Sequence, residues 1–143
     1  MTTHPTPDLL ATLEDLGCRV TGPRRQLVAI LEARRDAFAP DDILADLPGV
    51  GRATVYRTIK LLLDAGALCK TSLPDGSPRY IVGQTHHHHH VVCVRCGRVD
   101  EFRHSAVERM LQAMRSEVPG ELVGHRLELY MTCDSCLASE DEN

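Results

Sequence analysis

Arg52-Ala53-Thr54-Val55-Tyr56-Arg57-Thr58-Ile59-Lys60-Leu61-Leu62-Leu63-Asp64-Ala65-Gly66 is the stretch on which the fold turns. Apolar residues recur at helical spacing and the glycine supplies a C-terminal stop, so a helix is expected from about Arg52 to Ala65. At 100° per residue, Val55, Ile59, Leu62 and Leu63 gather on one side and face a core. Ala53, Arg57 and Lys60 lie opposite, with Thr54 and Tyr56 on the flanks. A small residue, two cations, an aromatic ring and a hydroxyl thus share the exposed face. A merely solvated surface accounts for two exposed cations as readily as a DNA-reading surface does, so the helix alone leaves both readings open.

The flanking sequence narrows the choice. Downstream, Ala67 to Thr71 and Arg79 to Val82 read as short strands around Pro74-Asp75-Gly76, and Asp-Gly is a strong hairpin signal. Upstream, Asp8 to Leu16 reads as a short helix with Leu9, Leu13 and Leu16 at spacings of four and three, ended by Gly17. Thr21 caps a second helix with Pro23 in its first turn and Leu27, Val28, Ile30 and Leu31 as its apolar face. Pro40, Asp41 and Asp42 start a third, which runs to about Leu47, with acidic side chains at the positive end of the helix dipole. Three helices followed by a two-stranded hairpin make a winged helix, the helix-turn-helix variant whose last helix enters the major groove.

The C-terminal part speaks of metal. Cys93/Cys96 and Cys133/Cys136 form two Cys-x-x-Cys pairs, and five histidines, His86 to His90, stand before the first. A two-residue gap lets a tight turn aim both sulfurs at one ion, and four thiolates suit tetrahedral Zn²⁺ in a closed structural site. Gly97 fits a turn that needs positive φ. A redox dithiol or disulfides are the competing readings, but the βαβ context of a thioredoxin-type motif is missing. The 36 residues between Cys96 and Cys133 exceed the usual ribbon gap of about 15 to 20, so a helix and strands must lie inside the loop. Val91 to Cys93 and Arg98 to Phe102 are expected strands. A helix from Ser105 to Val118 and a strand from His125 to Met131, with Leu127, Leu129 and Met131 on one face, complete a small α/β unit whose sheet edge could pair with a second copy.

Composition sets bounds. With no Trp, three Tyr and two Phe in 143 residues, the cores must be aliphatic. No apolar run approaches the about 20 residues of a membrane span, and Met1 to Leu16 lacks a signal peptide's regions, so a cytoplasmic location with reduced thiols is expected. The net charge of −4 lies entirely in the Cys/His half: residues 1–85 hold ten Lys/Arg and ten Asp/Glu, residues 86–143 six against ten. Bound cations would offset that excess, while the first half is free to present a local basic face.

The segments Gly17-Cys18-Arg19-Val20-Thr21-Gly22-Pro23-Arg24-Arg25, Ala53-Thr54-Val55-Tyr56-Arg57, the histidine run with Val91-Val92-Cys93-Val94-Arg95-Cys96-Gly97, and Cys133-Asp134-Ser135-Cys136 resemble, in this order, the ferric uptake regulator superfamily. The resemblance spans about Leu9 to Cys136 and is strongest toward the zinc-sensing branch. It implies an α+β chain: a winged-helix DNA-binding domain over 1–82, a hinge at 83–85 and a metal-binding dimerisation domain over 86–137; the tail over 138–143 is expected to be disordered from its acidic composition. The resemblance also implies a homodimeric, metal-activated repressor whose partner is palindromic double-stranded operator DNA, with no membrane and no small organic substrate. Tyr56 and Arg57 would contact the operator, with Arg19 near the minor groove. Thr54 shares that face, Arg57 can read guanine bidentately, and Lys60 suits phosphate.

Adjacent histidines on a strand alternate in direction, so His87 and His89 point one way and His86, His88 and His90 the other, feeding two sites. An expression tag is the bland reading, but this run is internal. By resemblance, His87, His89, Glu108 and His125 form one four-ligand set. A second, near the hinge, would use His88, His90 and Glu101. There the family's N-terminal histidine ligand aligns with Phe38 and its acidic residue after the wing with Ile81, neither of which binds metal. Cys69 stands where zinc-sensing members carry a ligand, although their further cysteine is replaced by Val82 or Gly83; a buried, inert cysteine is the competing reading. One thiolate, two imidazoles and a carboxylate suit Zn²⁺ better than iron or manganese, so zinc is expected as the regulatory metal. An iron-, manganese- or nickel-responsive member of the same family is the alternative, with Fe²⁺ or Mn²⁺ as the other possible regulatory metals. The peroxide-sensing branch fits less well, since its members have Asp where Glu101 stands. A zinc hydrolase or deaminase is disfavoured because no His-x-Glu followed by Pro-Cys-x-x-Cys occurs, and a metal store leaves the winged helix without purpose. No enzymatic activity is therefore expected.

Overall fold

The structure is a computed structural model. It describes residues 7–83 and 88–141, with only the backbone of 141. The chain divides into two compact units, Met1–His86 and His87–Asn143. Of the expected hinge, Gln84 and Thr85 lie outside the described residues, as do His86, His87 and the last two residues of the tail.

In the first unit, α1 (Leu9–Asp15) is capped by Asp8, whose carboxylate accepts the Ala11 N–H at 3.0 Å. It ends at Gly17 with φ +73°, where Cys18 N donates to Leu13 O and Gly17 N to Glu14 O. That double bond pattern closes a helix through a left-handed residue. α2 (Gly22–Ala33) begins at Thr21, whose hydroxyl accepts the Arg24 N–H at 3.4 Å. In α3 (Pro40–Asp46) the Asp42 carboxylate reaches back to the Ala39 N–H at 2.8 Å. α4 (Arg52–Asp64) buries Val55, Thr58, Ile59 and Leu62 and ends as α1 does, at Gly66 with φ +75°. Thr58 was not expected in the core; it is tolerated because its hydroxyl donates to the Thr54 carbonyl at 2.8 Å.

The hairpin pairs β1 (Leu68–Ser72) with β2 (Pro78–Val82), Cys69 opposite Ile81 and Lys70 opposite Tyr80. Asp75-Gly76 is not a two-residue turn. The loop spans five residues, with Gly76 N bonded to Leu73 O, Leu73 N to Ser77 O, and Gly76 at φ +88°. The Asp75 carboxylate accepts from both the Ser77 N–H and hydroxyl, which holds its pKa below the ordinary value. Phe38 adds a backbone bridge to Tyr80 and stacks near its ring. The core gathers Leu9, Leu13, Leu27, Leu31, Phe38, Ile43, Val55, Leu62 and Leu68, all fully buried. Each such apolar side chain contributes roughly 1.5–3 kcal/mol.

The second unit is a three-stranded sheet in the order β4-β3-β5. β3 (His89–Cys93) pairs antiparallel with β4 (Val99–Phe102) and parallel with β5 (Glu128–Met131). α5 (Ser105–Met114) forms part of the crossover and α6 (Asp134–Asp141) follows β5. Three expectations are corrected here. α5 stops at Met114 rather than Val118, because Arg115 N turns back to Gln112 O and Pro119 disfavours helix at Val118. The last strand starts at Glu128 rather than His125, since β3, its partner, itself begins only at His89. The tail expected to be disordered from 138 is instead helical to Asp141. Asp134 lies in the first turn of α6, Leu137 N bonds Cys133 O, and Glu140 pairs with Arg95.

Candidate metal centres and nucleic-acid interface

Three local devices assemble the cysteines. Gly97, at φ +75°, lets its N–H return to Cys93 O, which folds the first Cys-x-x-Cys into a knuckle. Val94 N donates to Met131 O, drawing the end of β5 alongside. Cys133 then starts the turn that enters α6, with its N–H directed at Cys93 Sγ at 3.4 Å. All four sulfurs lie within 4.8 Å of one another, with Cys93 to Cys136 at 3.9 Å and Cys96 to Cys133 at 3.8 Å. A tetrahedron with metal–sulfur bonds of about 2.3 Å has edges of about 3.8 Å, which these two pairs match, so the set suits Zn²⁺. None of the cysteines is in a disulfide. The backbone N–H groups of Cys96 and Cys133 lower the Cys93 pKa to about 6, whereas contact with Cys133 and burial push Cys136 up to about 12. A divalent cation bound among the four sulfurs would stabilise the thiolate forms that ligate it.

The histidines divide by strand alternation. His89 turns to one face, 3% exposed, with Nε2 3.2 Å from Glu108 Oε1 and its ring 5.4 Å from that of His125. Three members of the expected His87, His89, Glu108, His125 set therefore share one neighbourhood, and His87 lies outside the described residues. A cleft of about 210 Å³ opens beside Glu108 and His125, with Arg115 and Leu122 in its wall.

His88 and His90 turn to the other face. Their Nε2 atoms stand 3.1 Å apart with the rings edge to face, and Glu101 Oε1 is 3.7 Å from His88. Two imidazole nitrogens bound to one zinc at about 2.0–2.1 Å would stand about 2.9–3.4 Å apart, which this pair matches. Burial first, and the charge of His88 second, hold the His90 pKa below the ordinary histidine value, favouring the neutral, ligating form. Cys69, assigned to the same set by the sequence, belongs to the first unit; it is buried on β1, with Sγ 3.8 Å from Gly83 O. Phe38 is wholly buried and Ile81 faces Cys69 across the hairpin, so the two positions without donor atoms serve packing and pairing.

On α4, Ala53, Tyr56, Arg57 and Lys60 are exposed and Thr54 is half-buried. Arg57 Nε rests on the Ala53 carbonyl at 3.2 Å. Arg19 is exposed in the loop before α2, where its carbonyl accepts the Arg24 guanidinium at 2.9 Å. The sequence reading omitted Arg52, whose guanidinium lies over the Tyr56 ring. Its position one turn before Tyr56 was the available signal.

The model of the ferric uptake regulator family matches residues 15–130. A ferric uptake regulation protein of Neisseria meningitidis serogroup B is 31% identical over 134 residues, which cover 90% of this chain and 93% of the relative. Among solved structures, a zinc-bound manganese uptake regulator is 32% identical with a TM-score of 0.69, covering 89% of this chain and 99% of its own. A zinc uptake regulator complexed with zinc and DNA shares the fold at 24% identity, with a TM-score of 0.67 over 97% of this chain and 99% of its own. A family match over most of the length, together with the four-cysteine cluster and the winged helix, establishes that this chain belongs to the ferric uptake regulator family.

Proposed function

We propose that this metal-responsive regulator is a repressor that binds a palindromic operator as a homodimer when loaded with zinc. The observation that carries the reading is the His88–His90 pair, two imidazole nitrogens 3.1 Å apart beside Glu101. Cys69 from the first unit would complete a set softer than iron or manganese usually receives. Only residues 84–87 separate Gly83, whose carbonyl Cys69 contacts, from His88. Bound zinc would supply a fixed positive centre that ties the wing's Cys69 to the histidine strand. Cys69, His88, His90 and Glu101 would thereby restrict the two units to arrangements in which paired recognition helices fit one face of DNA, and the metal's higher affinity for that state makes it a corepressor. On α4, Arg57 would read a base edge and Lys60 a phosphate, with Thr54, Tyr56 and Arg19 beside them. The family-typical set His87, His89, Glu108 and His125 is a separate regulatory or stabilising site, and Cys93, Cys96, Cys133 and Cys136 hold structural zinc.

An iron- or manganese-responsive regulator is the second reading, favoured by the curated relative's name and by the harder set around His89 and Glu108. Cys69→Ser and His90→Ala separate the two. Under the zinc reading both lose zinc-dependent operator binding while retaining the four-cysteine metal. A Cys69→Ser protein that responds to zinc as the unmodified chain does would reduce Cys69 to packing.

A further inference from the structure

Arg52 breaks a local rule. A cation in the first turn of a helix opposes the helix dipole, and α4 has no acidic residue in its own first turn to offset it. The compensating charge comes from α3, where Asp41 Oδ1 lies 3.2 Å from Arg52 Nη2. These side chains are 66% and 74% exposed, so water screens the pair and it is easily exchanged. The same guanidinium packs over the Tyr56 ring at 5.7 Å from its centroid, with Nη1 3.5 Å from the phenol oxygen. Arg57, by contrast, is engaged with the carbonyl of Ala53. A planar, weakly hydrated fork is thus held beside the aromatic ring of the exposed helix face by a displaceable carboxylate. A phosphodiester offers the same acceptor geometry and charge as that carboxylate.

We infer that Arg52 contacts a DNA backbone phosphate while holding the Tyr56 ring, and that Asp41 is its resting counterion, displaced when DNA binds. The inference rests on the operator-binding reading above. Free Arg52 lies on the DNA face; Asp41 competes with the phosphate for it and thereby weakens binding to every duplex.

The test uses the full metal-loaded chain and a palindromic duplex recovered by selection from a random pool, with affinity measured over a series of salt concentrations. Arg52→Gln is expected to lower the slope of log K against log salt by about 0.9 per protomer, the value of one lost phosphate contact. Arg52→Lys keeps the charge and the slope but loses affinity through the ring. Asp41→Asn is expected to gain about two- to fivefold, the scale of a released surface pair, and to gain nothing when Arg52 is already Gln. An unchanged slope in Arg52→Gln overturns the phosphate contact. Arg52→Lys equal to the unmodified protein overturns the hold on Tyr56, and an Asp41→Asn gain that persists without Arg52 overturns the exchange. If the unmodified protein binds no duplex, the operator-binding reading falls and this inference with it; normal binding with unaltered variants removes this inference alone.

Discussion

Cys96 Sγ and Cys133 Sγ, 37 positions apart in the chain, stand 3.8 Å from each other, the edge length of a zinc–thiolate tetrahedron. The knuckle at Gly97 and the turn into α6 each bring one pair, and the Val94–Met131 backbone bond joins them. Among the described residues, α5 has no buried side chain, and the fully buried apolar side chains belong mostly to the first unit.

Cys133→Ser is therefore expected to lose the tightly held zinc and to unfold the second unit while the winged helix persists. Native mass spectrometry gives the metal content, and hydrogen exchange resolved by segment gives the folding of each unit. Retained zinc with unchanged protection of β3 would contradict a structural site.

Phe38 sits in the core against Tyr80, with Arg34 over its ring. Phe38→Ala should cost about 3–5 kcal/mol of first-unit stability. Denaturant unfolding followed by tyrosine fluorescence measures it, and a change under about 1 kcal/mol would contradict its place in the core.

His90 gives a pH signature. Its pKa is lowered in the folded state by burial and His88, so as pH falls below about 6.5 the unfolded chain takes up a proton that the folded chain refuses. Stability is full above that value and declines on acidification until the folded pKa is passed. The unfolding midpoint of the second unit between pH 7.5 and 5.5 should drop further in the unmodified protein than in His90→Gln. Equal drops would place the titration elsewhere.

Arg57 is exposed on α4 and carries the base-reading role proposed above. Arg57→Ala is expected to weaken operator binding by roughly 1–3 kcal/mol, the scale of a bidentate contact to guanine, and to relax preference at one base position. Uniform weakening across all sequences would make it a phosphate contact.

What was legible in the sequence follows physical range. α4 and both glycine stops were readable because helix period and left-handed closure depend on neighbours within a few residues. The division of His89 from His88 and His90 followed from the strand's period of two, and the cysteine cluster from spacing. The end of α5, the late start of β5 and the helical tail depend on partners far along the chain, which local pattern does not carry. Arg52 was missed although helical period alone puts it one turn before Tyr56, and its pairing with Asp41 joins two helices, which that period does not disclose.

The most direct measurement is operator binding by the protein stripped of labile metal but retaining its four-cysteine zinc, titrated in parallel with buffered free Zn²⁺, Fe²⁺ and Mn²⁺ at fixed salt. Tight binding restored by zinc at very low free concentration, and not by the other two, is the expected result. Restoration by Fe²⁺ or Mn²⁺ with no response to zinc would contradict a zinc-responsive site built on Cys69, His88, His90 and Glu101.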